Sequence, residues 1–394
     1  MKRIISNIII SCVCVFGASA ITIDEVIDSV KHNNVALKIA KEEQMRIVNS
    51  IKSSNNLSNP EVGFEYHKGA NIDGDKYGFS LTQKFDWPGL YVSRSQSNKH
   101  KIEMAHAELL NNNMAVLFET KQLCIQIVNV NKKIKAQEKI YDNMSELYAK
   151  YEKGFNQGEI SMLDINKLKI EMLNVKRDLD MFVAQRSALG KELMAMNGNI
   201  EIVVDNLTDY PIQSLESVDY YLSQIETYDP EYIAQGEGVK AANVDYKSAK
   251  MGWLPEFSLG YRYTNELGTK FNGFEVGVSL PLFANRNKVG ESKAGLKVAE
   301  FAQKDVLIKK ESALKADFQK VVTTRTQINS YKNVLDDETN IQMLKKALEG
   351  GEMSLLNYLL ELRYFLEAHH TLLDLEYEYN MLLTSINKYE LISK

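Results

Sequence analysis

Apolar side chains recur three and four residues apart over very long stretches of this chain. The stretch from Tyr91 to Lys153 contains no glycine or proline and keeps this spacing throughout. At about 1.5 Å per residue, a helix of roughly 60 residues would be near 90 Å long, far beyond an ordinary globular helix. The positions of this seam are Ile102, Leu109, Val116, Leu123, Ile127, Val130, Ile134, Tyr141, Met144, Tyr148, Tyr151 and Phe155. The seam predicts coiled-coil packing, with Asn113, Thr120 and Gln137 as polar interruptions.

The same plan occurs twice along the chain. Residues 154–168 resemble residues 347–361, and the match places Gly158 on Gly351. A second glycine- and proline-free stretch, Leu296–Glu349, precedes the second of these glycines and predicts a second very long helix. The chain therefore reads as a tandem duplication in which each half contains a helix, two strands, a very long helix, a turn and a long helix.

Four short segments alternate between apolar and polar residues, as amphipathic strands do. Their apolar residues are Val62, Phe64 and Tyr66; Tyr77, Phe79, Leu81 and Phe85; Phe257, Leu259, Tyr261 and Tyr263; and Phe274, Val276, Val278 and Leu280. Each segment has about ten residues, the length that a tilted strand needs to cross an outer membrane. A half-buried soluble sheet also alternates, but no other strand-rich region exists for this one to pack against. Four strands cannot close a barrel, and membranes do not tolerate open sheet edges, so three chains with twelve strands together are predicted.

The first 20 residues have the pattern of an export signal. Lys2-Arg3 supplies the positive charge, Ile4–Phe16 is mostly apolar, and Ala18-Ser19-Ala20 fits a cleavage site. The apolar run is too short for a membrane anchor, and a lipid anchor at Cys12 is the alternative. After cleavage Cys124 would be the one cysteine left, which excludes an internal disulfide and a cysteine metal cluster.

The charge and the polar residues exclude several classes of function. The net charge is −5 and the isoelectric point is about 5.8, so no basic face for nucleic acid is predicted. No nucleophile–base pair, phosphate loop or metal-ligand spacing occurs, so we predict neither an enzyme nor a cofactor or metal site. His369 and His370 are adjacent on a predicted helix and point about 100° apart, which favours a role in helix register over joint chelation.

With these features in place, the chain resembles the TolC family of outer-membrane efflux channels over nearly its whole mature sequence. The resemblance rests on the duplicated plan and on three pairs of motifs. They are the proline before the first strand of each half (Asn59-Pro60, Leu254-Pro255), the strand-to-helix segments (Ser80–Gly89, Ser279–Arg286) and the helical tips around Gly158 and Gly351. The segment Phe85–Tyr91, followed by Arg94, most resembles the heavy-metal-efflux branch of the family.

The resemblance implies a fold, a location and a set of partners. The fold would be mainly α with a small β part, assembled as a homotrimer whose twelve-stranded outer-membrane β-barrel continues into a periplasmic α-helical barrel. The chain would be the passive exit duct of a tripartite efflux or type I secretion system in a Gram-negative bacterium. Its partners would be outer-membrane lipid, a periplasmic adaptor and an inner-membrane pump of the RND or ABC type. The alternative is a periplasmic coiled-coil adaptor or scaffold, which the amphipathic strand pairs disfavour.

These inferences together predict the organisation of the chain. We predict a signal peptide at 1–20, a first repeat at 21–200, a linker at 201–229 and a second repeat at 230–394. The strands are expected at about 61–86 and 256–282, and the long helices at about 90–197 and 286–392.

The resemblance also implies functional residues at the two tips. Adaptor docking is implied for Gly158, Glu159, Ser161, Leu163, Gly351, Glu352, Ser354 and Leu356. By their residue types alone, the glycines would permit the turns and the serines would cap the returning helices. A pore constriction is implied for Asp164, with Asn357 at the matching position and Glu361 nearby. Because Asn357 is uncharged, the acidic constriction is weaker than usual in the family, and Asp164 could instead only favour the start of its own helix.

Overall fold

The computed structural model describes residues 21–69, 74–283, 285–335 and 337–392. The predicted signal peptide, with Cys12, lies outside the described residues. The first half contains α1 (Ile23–Asn33), α2 (Val35–Ser53), β1 (Glu61–Lys68), β2 (Asp75–Phe85), α3 (Pro88–Asn156) and α4 (Met162–Met196). The second half contains α5 (Val218–Tyr228), α6 (Pro230–Met251), β3 (Glu256–Glu266), β4 (Thr269–Ser279), α7 (Lys288–Val334), α8 (Asp337–Glu349) and α9 (Leu355–Ile386). The predicted fold class, mainly helical with a small antiparallel sheet, is confirmed.

One predicted element differs from the structure. The second very long helix, expected over Leu296–Glu349 without interruption, is divided, because α7 ends at Val334 and α8 begins at Asp337. Neither glycine nor proline causes this break.

The segment between the two halves is ordered by contacts with the long helices. It contains a short 3-10 helix at Val204–Asn206 as well as α5. The Asn131 side-chain amide of α3 donates to the backbone oxygens of Val204 and Leu207, both at 2.8 Å. Leu207 is buried at this contact. The stretch that we expected to serve as a linker is therefore fastened to α3.

The chain forms two compact units, and each unit combines segments from both halves. Of the described residues, the first unit contains 21–33, Thr120–Ile212 and Thr324–Met381. The second contains Asn34–Glu119, Gln213–Thr323 and residues 382–392.

Long helices pack side by side in the first unit, and their apolar seams form its core. A buried cluster joins residues of α3, α4, α8 and α9: Ile140, Met144, Leu147, Leu168, Val175, Ile341, Leu355, Tyr358 and Leu362. Gln137, a predicted polar interruption, is buried, and its amide donates to the Val175 backbone oxygen at 3.1 Å. Cys124 is a free, buried core residue, and burial raises the pKa of its thiol to about 12. The thiol is therefore unreactive at neutral pH.

The second unit contains one antiparallel sheet with the strand order β1-β2-β3-β4. The register pairs Phe64 with Phe79 and Phe79 with Tyr263, so aromatic side chains from three strands stand in one row. In an antiparallel sheet, directly opposed residues share a face and neighbours along a strand alternate between faces. One face is therefore apolar over all four strands, as the sequence predicts, and the other is polar.

A buried carboxylate fastens the last described segment to the second unit. Asp229 is 0% exposed and caps α6 by accepting from the Tyr232 backbone N–H at 2.9 Å. The same side chain accepts from the Tyr389 hydroxyl at 2.8 Å and pairs with Lys310 of α7 at 3.1 Å. Tyr389 lies in a 3-10 helix at Lys388–Leu391. These bonds satisfy the buried charge and join three segments that are distant in sequence.

In the part of the chain that the structure describes, none of the helices combines the length and the apolar character needed to cross a membrane.

Candidate functional site at the helical tips

Each tip of the first unit begins where a helix ends at a glycine in the left-handed conformation. After α3, Gly158 has φ +80°, and its N–H donates to the Phe155 oxygen at 2.9 Å. The Glu159 N–H donates to the Gly154 oxygen, also at 2.9 Å. This pair of bonds closes the helix in a Schellman motif.

The second tip repeats this geometry bond for bond. After α8, Gly351 has φ +75°, and its N–H donates to the Leu348 oxygen at 3.2 Å. The Glu352 N–H donates to the Ala347 oxygen at 2.9 Å. At neither glycine would an added Cβ meet another atom within 4 Å, so the left-handed backbone, and not crowding, accounts for glycine at both turns.

A serine begins each returning helix, as the sequence predicts. The Ser161 hydroxyl oxygen accepts from the Asp164 backbone N–H at 3.1 Å, at the start of α4. The Ser354 oxygen accepts from the Asn357 N–H at 3.2 Å, at the start of α9. Each serine therefore satisfies one of the backbone donors that a helix start leaves open.

The tips present apolar and acidic side chains to the outside. Leu163 is 71% exposed, and Met162 and Leu356 are also exposed. Glu159 and Glu352 are exposed on the turns themselves. An apolar surface on a turn is the kind of feature that a partner protein covers, and carboxylates beside it favour a partner with basic side chains.

Asp164 makes its polar contacts within its own chain. Its carboxylate accepts from the Ser161 hydroxyl at 2.7 Å and lies 3.3 Å from the Lys167 ammonium. The hydrogen bond from Ser161, followed by the bond and charge of Lys167, holds the pKa of Asp164 below its usual range. The carboxylate is therefore ionised at neutral pH and favours the start of α4. Its position in a pore stays a prediction.

The matching positions of the second tip carry less charge. Asn357 is exposed and occupies the same place in α9 as Asp164 does in α4. Glu361 is exposed one turn further along, and exposed Leu360 lies beside it. In each chain, the charged groups of the implied constriction are therefore Asp164, which is paired with Lys167, and Glu361. The docking and constriction roles of these residues are proposals, because they depend on other chains.

Ion pairs join the two helical hairpins near the tips, and sequence reasoning missed them. Glu146 and Lys150 of α3 face Lys345 and Glu349 of α8 at 2.9 and 2.6 Å. The sequence did contain a signal for these ion pairs. On α3 an acidic residue is followed four residues later by a lysine, and on α8 a lysine is followed four residues later by an acidic residue. A further pair links Glu171 of α4 to an arginine of α9, Arg363, at 3.1 Å.

The two adjacent histidines contact different neighbours. His370 stacks on Phe182 with ring centroids 5.8 Å apart, and His369 stacks on Phe365 at 6.4 Å. Burial, with a smaller effect of the Lys133 ammonium, lowers the pKa of His370. The rings therefore serve helix packing. Among the described residues, no group of three or more histidine, cysteine, aspartate or glutamate side chains could hold a metal ion.

Comparisons with known proteins show which proteins share this architecture. No protein-family model matches the chain. It is 21% identical over 398 residues to the probable outer membrane lipoprotein SilC of Salmonella typhimurium, covering 90% of this chain and 82% of SilC. The outer membrane protein VceC of Vibrio cholerae superposes with a TM-score of 0.76 at 13% identity, covering 93% of this chain and 95% of VceC.

Two further solved structures are similar. CusC, a protein that forms a transmembrane channel, gives a TM-score of 0.70 at 17% identity and covers 94% of this chain and 91% of CusC. The CmeC outer membrane channel of Campylobacter jejuni gives 0.71 at 19% identity, covering 94% of this chain and 85% of CmeC. These likenesses confirm, at the level of the fold, the resemblance inferred from the sequence.

Proposed function

We propose that this chain, which has the fold of the TolC-family outer-membrane channels, is the passive exit duct of a tripartite efflux system. Three copies would assemble in the outer membrane, receive substrate from an inner-membrane pump through a periplasmic adaptor, and release it outside. One observation carries the proposal: the four-stranded sheet has an exposed apolar face and an exposed polar face. Such a sheet suits the wall between lipid and a water-filled lumen.

The apolar face supports a position in lipid. Its side chains are exposed in the single chain, and Phe274 is 89% exposed. Three of the four strands, β2, β3 and β4, have 11 residues, within the range of about 9–11 that a tilted membrane strand needs. An exposed apolar surface that covers four strands is unusual on a soluble monomer, so a lipid environment explains it better than water does.

The polar face supports a position toward a lumen. Arg262 pairs with Glu275 at 2.7 Å, and Lys84 pairs with Glu61 at 2.5 Å. Charged side chains on the lipid side would be costly, whereas the lumen of an outer-membrane barrel is polar. The two faces therefore fix which side of the sheet would meet lipid.

The sheet edges support assembly from several chains. β1 and β4 are the two edges, and among the described residues neither has a second strand partner. Open edges are not stable in lipid, so a membrane-embedded sheet must close against other copies. Three copies supply twelve strands, an allowed even number.

The tips support docking of the adaptor. Both turns expose leucine and glutamate side chains, while Ile165 and Leu355, next to them in sequence, are buried. The alternative of a periplasmic adaptor or scaffold would also use helical hairpins, but it leaves the apolar face of the sheet unexplained.

The heavy-metal-efflux branch remains our preferred subgroup. The motif that suggested it is ordered in the structure: Arg94 pairs with Asp86, and the Asp86 N–H donates to the Tyr91 hydroxyl at 3.0 Å. The similarity to SilC and CusC agrees with this preference.

Substitutions on adjacent residues of β2 test which face meets lipid. Leu81 lies on the apolar face opposite Val62, and Thr82 lies on the polar face opposite Glu61. Leu81→Lys should reduce the amount of trimer in the outer-membrane fraction, because a lysine facing mid-membrane lipid costs about 2–4 kcal/mol. Thr82→Lys, the matched control, should insert normally beside Glu61. Equal insertion of both variants, or a loss confined to Thr82→Lys, contradicts the proposed orientation.

A further inference from the structure

Two lysines stand at the same end of the apolar face of the sheet. Lys68 ends β1, two residues beyond Tyr66, and is opposed to Asp75. Lys270, near the start of β4, is opposed to Asn265, which in turn is opposed to Tyr77. The register therefore places both ammonium groups on the face that carries the phenyl and aliphatic side chains.

The cations of the polar face give a clear contrast. Lys76, Lys84 and Arg262 each pair with a carboxylate, at 3.5, 2.5 and 2.7 Å. Within the described ranges, neither Lys68 nor Lys270 has a carboxylate oxygen within 4 Å. The acid closest to them in the register is Asp75, whose carboxylate accepts from the Tyr66 hydroxyl at 2.7 Å. On the apolar face, the described residues of this rim thus include two cations and one carboxylate, that of Asp75.

The rim is bordered by a row of side chains typical of a membrane surface. Tyr66, Tyr77 and Asn265 form one row with Lys270, and Lys68 lies two residues further toward this end of β1. The Asn265 amide donates to the Tyr77 hydroxyl at 3.0 Å. Tyrosine is enriched where hydrocarbon meets headgroups, and lysine at such a depth extends its ammonium toward the headgroups. The row thus marks the end of the apolar band.

The rim belongs to the end of the sheet opposite the one from which the chain continues into α3 and α7. α3 begins at Pro88, directly after the other end of β2, whereas the hairpins join the strand ends that carry Lys68 and Lys270. If the sheet spans the outer membrane and the helices lead into the periplasm, this rim lies at the outer leaflet.

We propose that Lys68 and Lys270 bind phosphate groups of the phosphorylated glycolipid of the outer leaflet. The acyl chains would lie along the apolar face. Because β1 and β4 are opposite edges of the sheet, each ammonium group would donate a charge-assisted hydrogen bond to a different phosphate. A soluble anion would use only the lysines, whereas a lipid also covers the exposed aromatic rows next to them. The inference rests on the proposed function, since it requires the sheet to lie in the outer membrane.

Native mass spectrometry of the detergent-purified trimer tests the proposal. The trimer is incubated with bis-phosphorylated lipid A, with dephosphorylated lipid A and with phosphatidylglycerol, and bound lipid is titrated. The double variant Lys68→Gln/Lys270→Gln should bind lipid A about 10- to 30-fold more weakly, since each surface cation contributes about one tenfold step or less. The control Lys76→Gln/Lys84→Gln removes the same charge from the polar face and should bind like the parent.

Several outcomes overturn the proposal. It is wrong if the double variant and the parent bind lipid A equally, if the control loses as much affinity as the double variant, or if dephosphorylated lipid A binds as well. Equal affinity for phosphatidylglycerol would mean that the rim recognises any anionic lipid, which contradicts the assignment to the glycolipid. Fractionation of the cells from which the trimer is purified distinguishes a failure of this inference from a failure of the proposed function. An outer-membrane trimer without lipid A preference overturns this inference alone, whereas a soluble chain overturns the proposed function with it.

Discussion

At the scale of single residues, the tips are determined by local bonds that the sequence already suggests. Asp164 accepts from Ser161 and pairs with Lys167, both on its own hairpin. Because its pKa is lowered in the folded chain, the stability from these bonds is present above the usual aspartate pKa and is lost as the pH falls through the lower, folded value. The side chain is partly exposed, so salt should screen this contribution.

Substitution of the two matching tip residues tests whether they line a pore. If they do, Asp164→Asn removes three carboxylates from the trimer and should weaken block by divalent cations in planar-bilayer recordings. Asn357→Asp adds three carboxylates near the first ring and should strengthen this block. Crowded carboxylates raise one another's pKa, so conductance of the second variant should also depend more steeply on pH. Unchanged block in both variants would return Asp164 to a role in helix initiation.

At the scale of elements, replacing the glycine at either turn should lower the stability of the protein by a measurable amount. Gly158→Ala and Gly351→Ala should each lower the free energy of unfolding by about 1 kcal/mol, because an L side chain is disfavoured at positive φ. Gly295→Ala is the matched control. It lies inside α7, where an added Cβ has open space, and should raise stability by about 0.5–1 kcal/mol.

Thermal denaturation of the purified protein, followed by circular dichroism at 222 nm, gives all three values. Loss of stability in Gly295→Ala, or no loss in the two turn variants, would contradict this account of the turns.

The elements also show how far the sequence could predict the structure. Periodicity identified the strands, the seam through Met144 and the serine caps, because these features depend on neighbours along the chain. The break after Val334 was missed because no glycine or proline marks it. The contact of Glu146 with Lys345 was missed because it joins helices far apart in sequence, and local patterns do not state which helices become neighbours. Pore-facing positions depend on further chains and are less predictable still.

At the scale of the whole molecule, the central claim is that single chains are incomplete. The exposed apolar face would be costly in water, and the open edges of β1 and β4 would be costly in lipid. Lipid would cover the face, and other copies would pair with the edges. Both requirements are met together by a closed barrel in the outer membrane.

Fractionation of cells that express the full chain, followed by electrophoresis with and without heating, tests this claim most directly. The account predicts that the protein is found in the outer-membrane fraction and migrates as a trimer in unheated detergent, changing to the monomer position after boiling. A soluble periplasmic monomer before heating would contradict it.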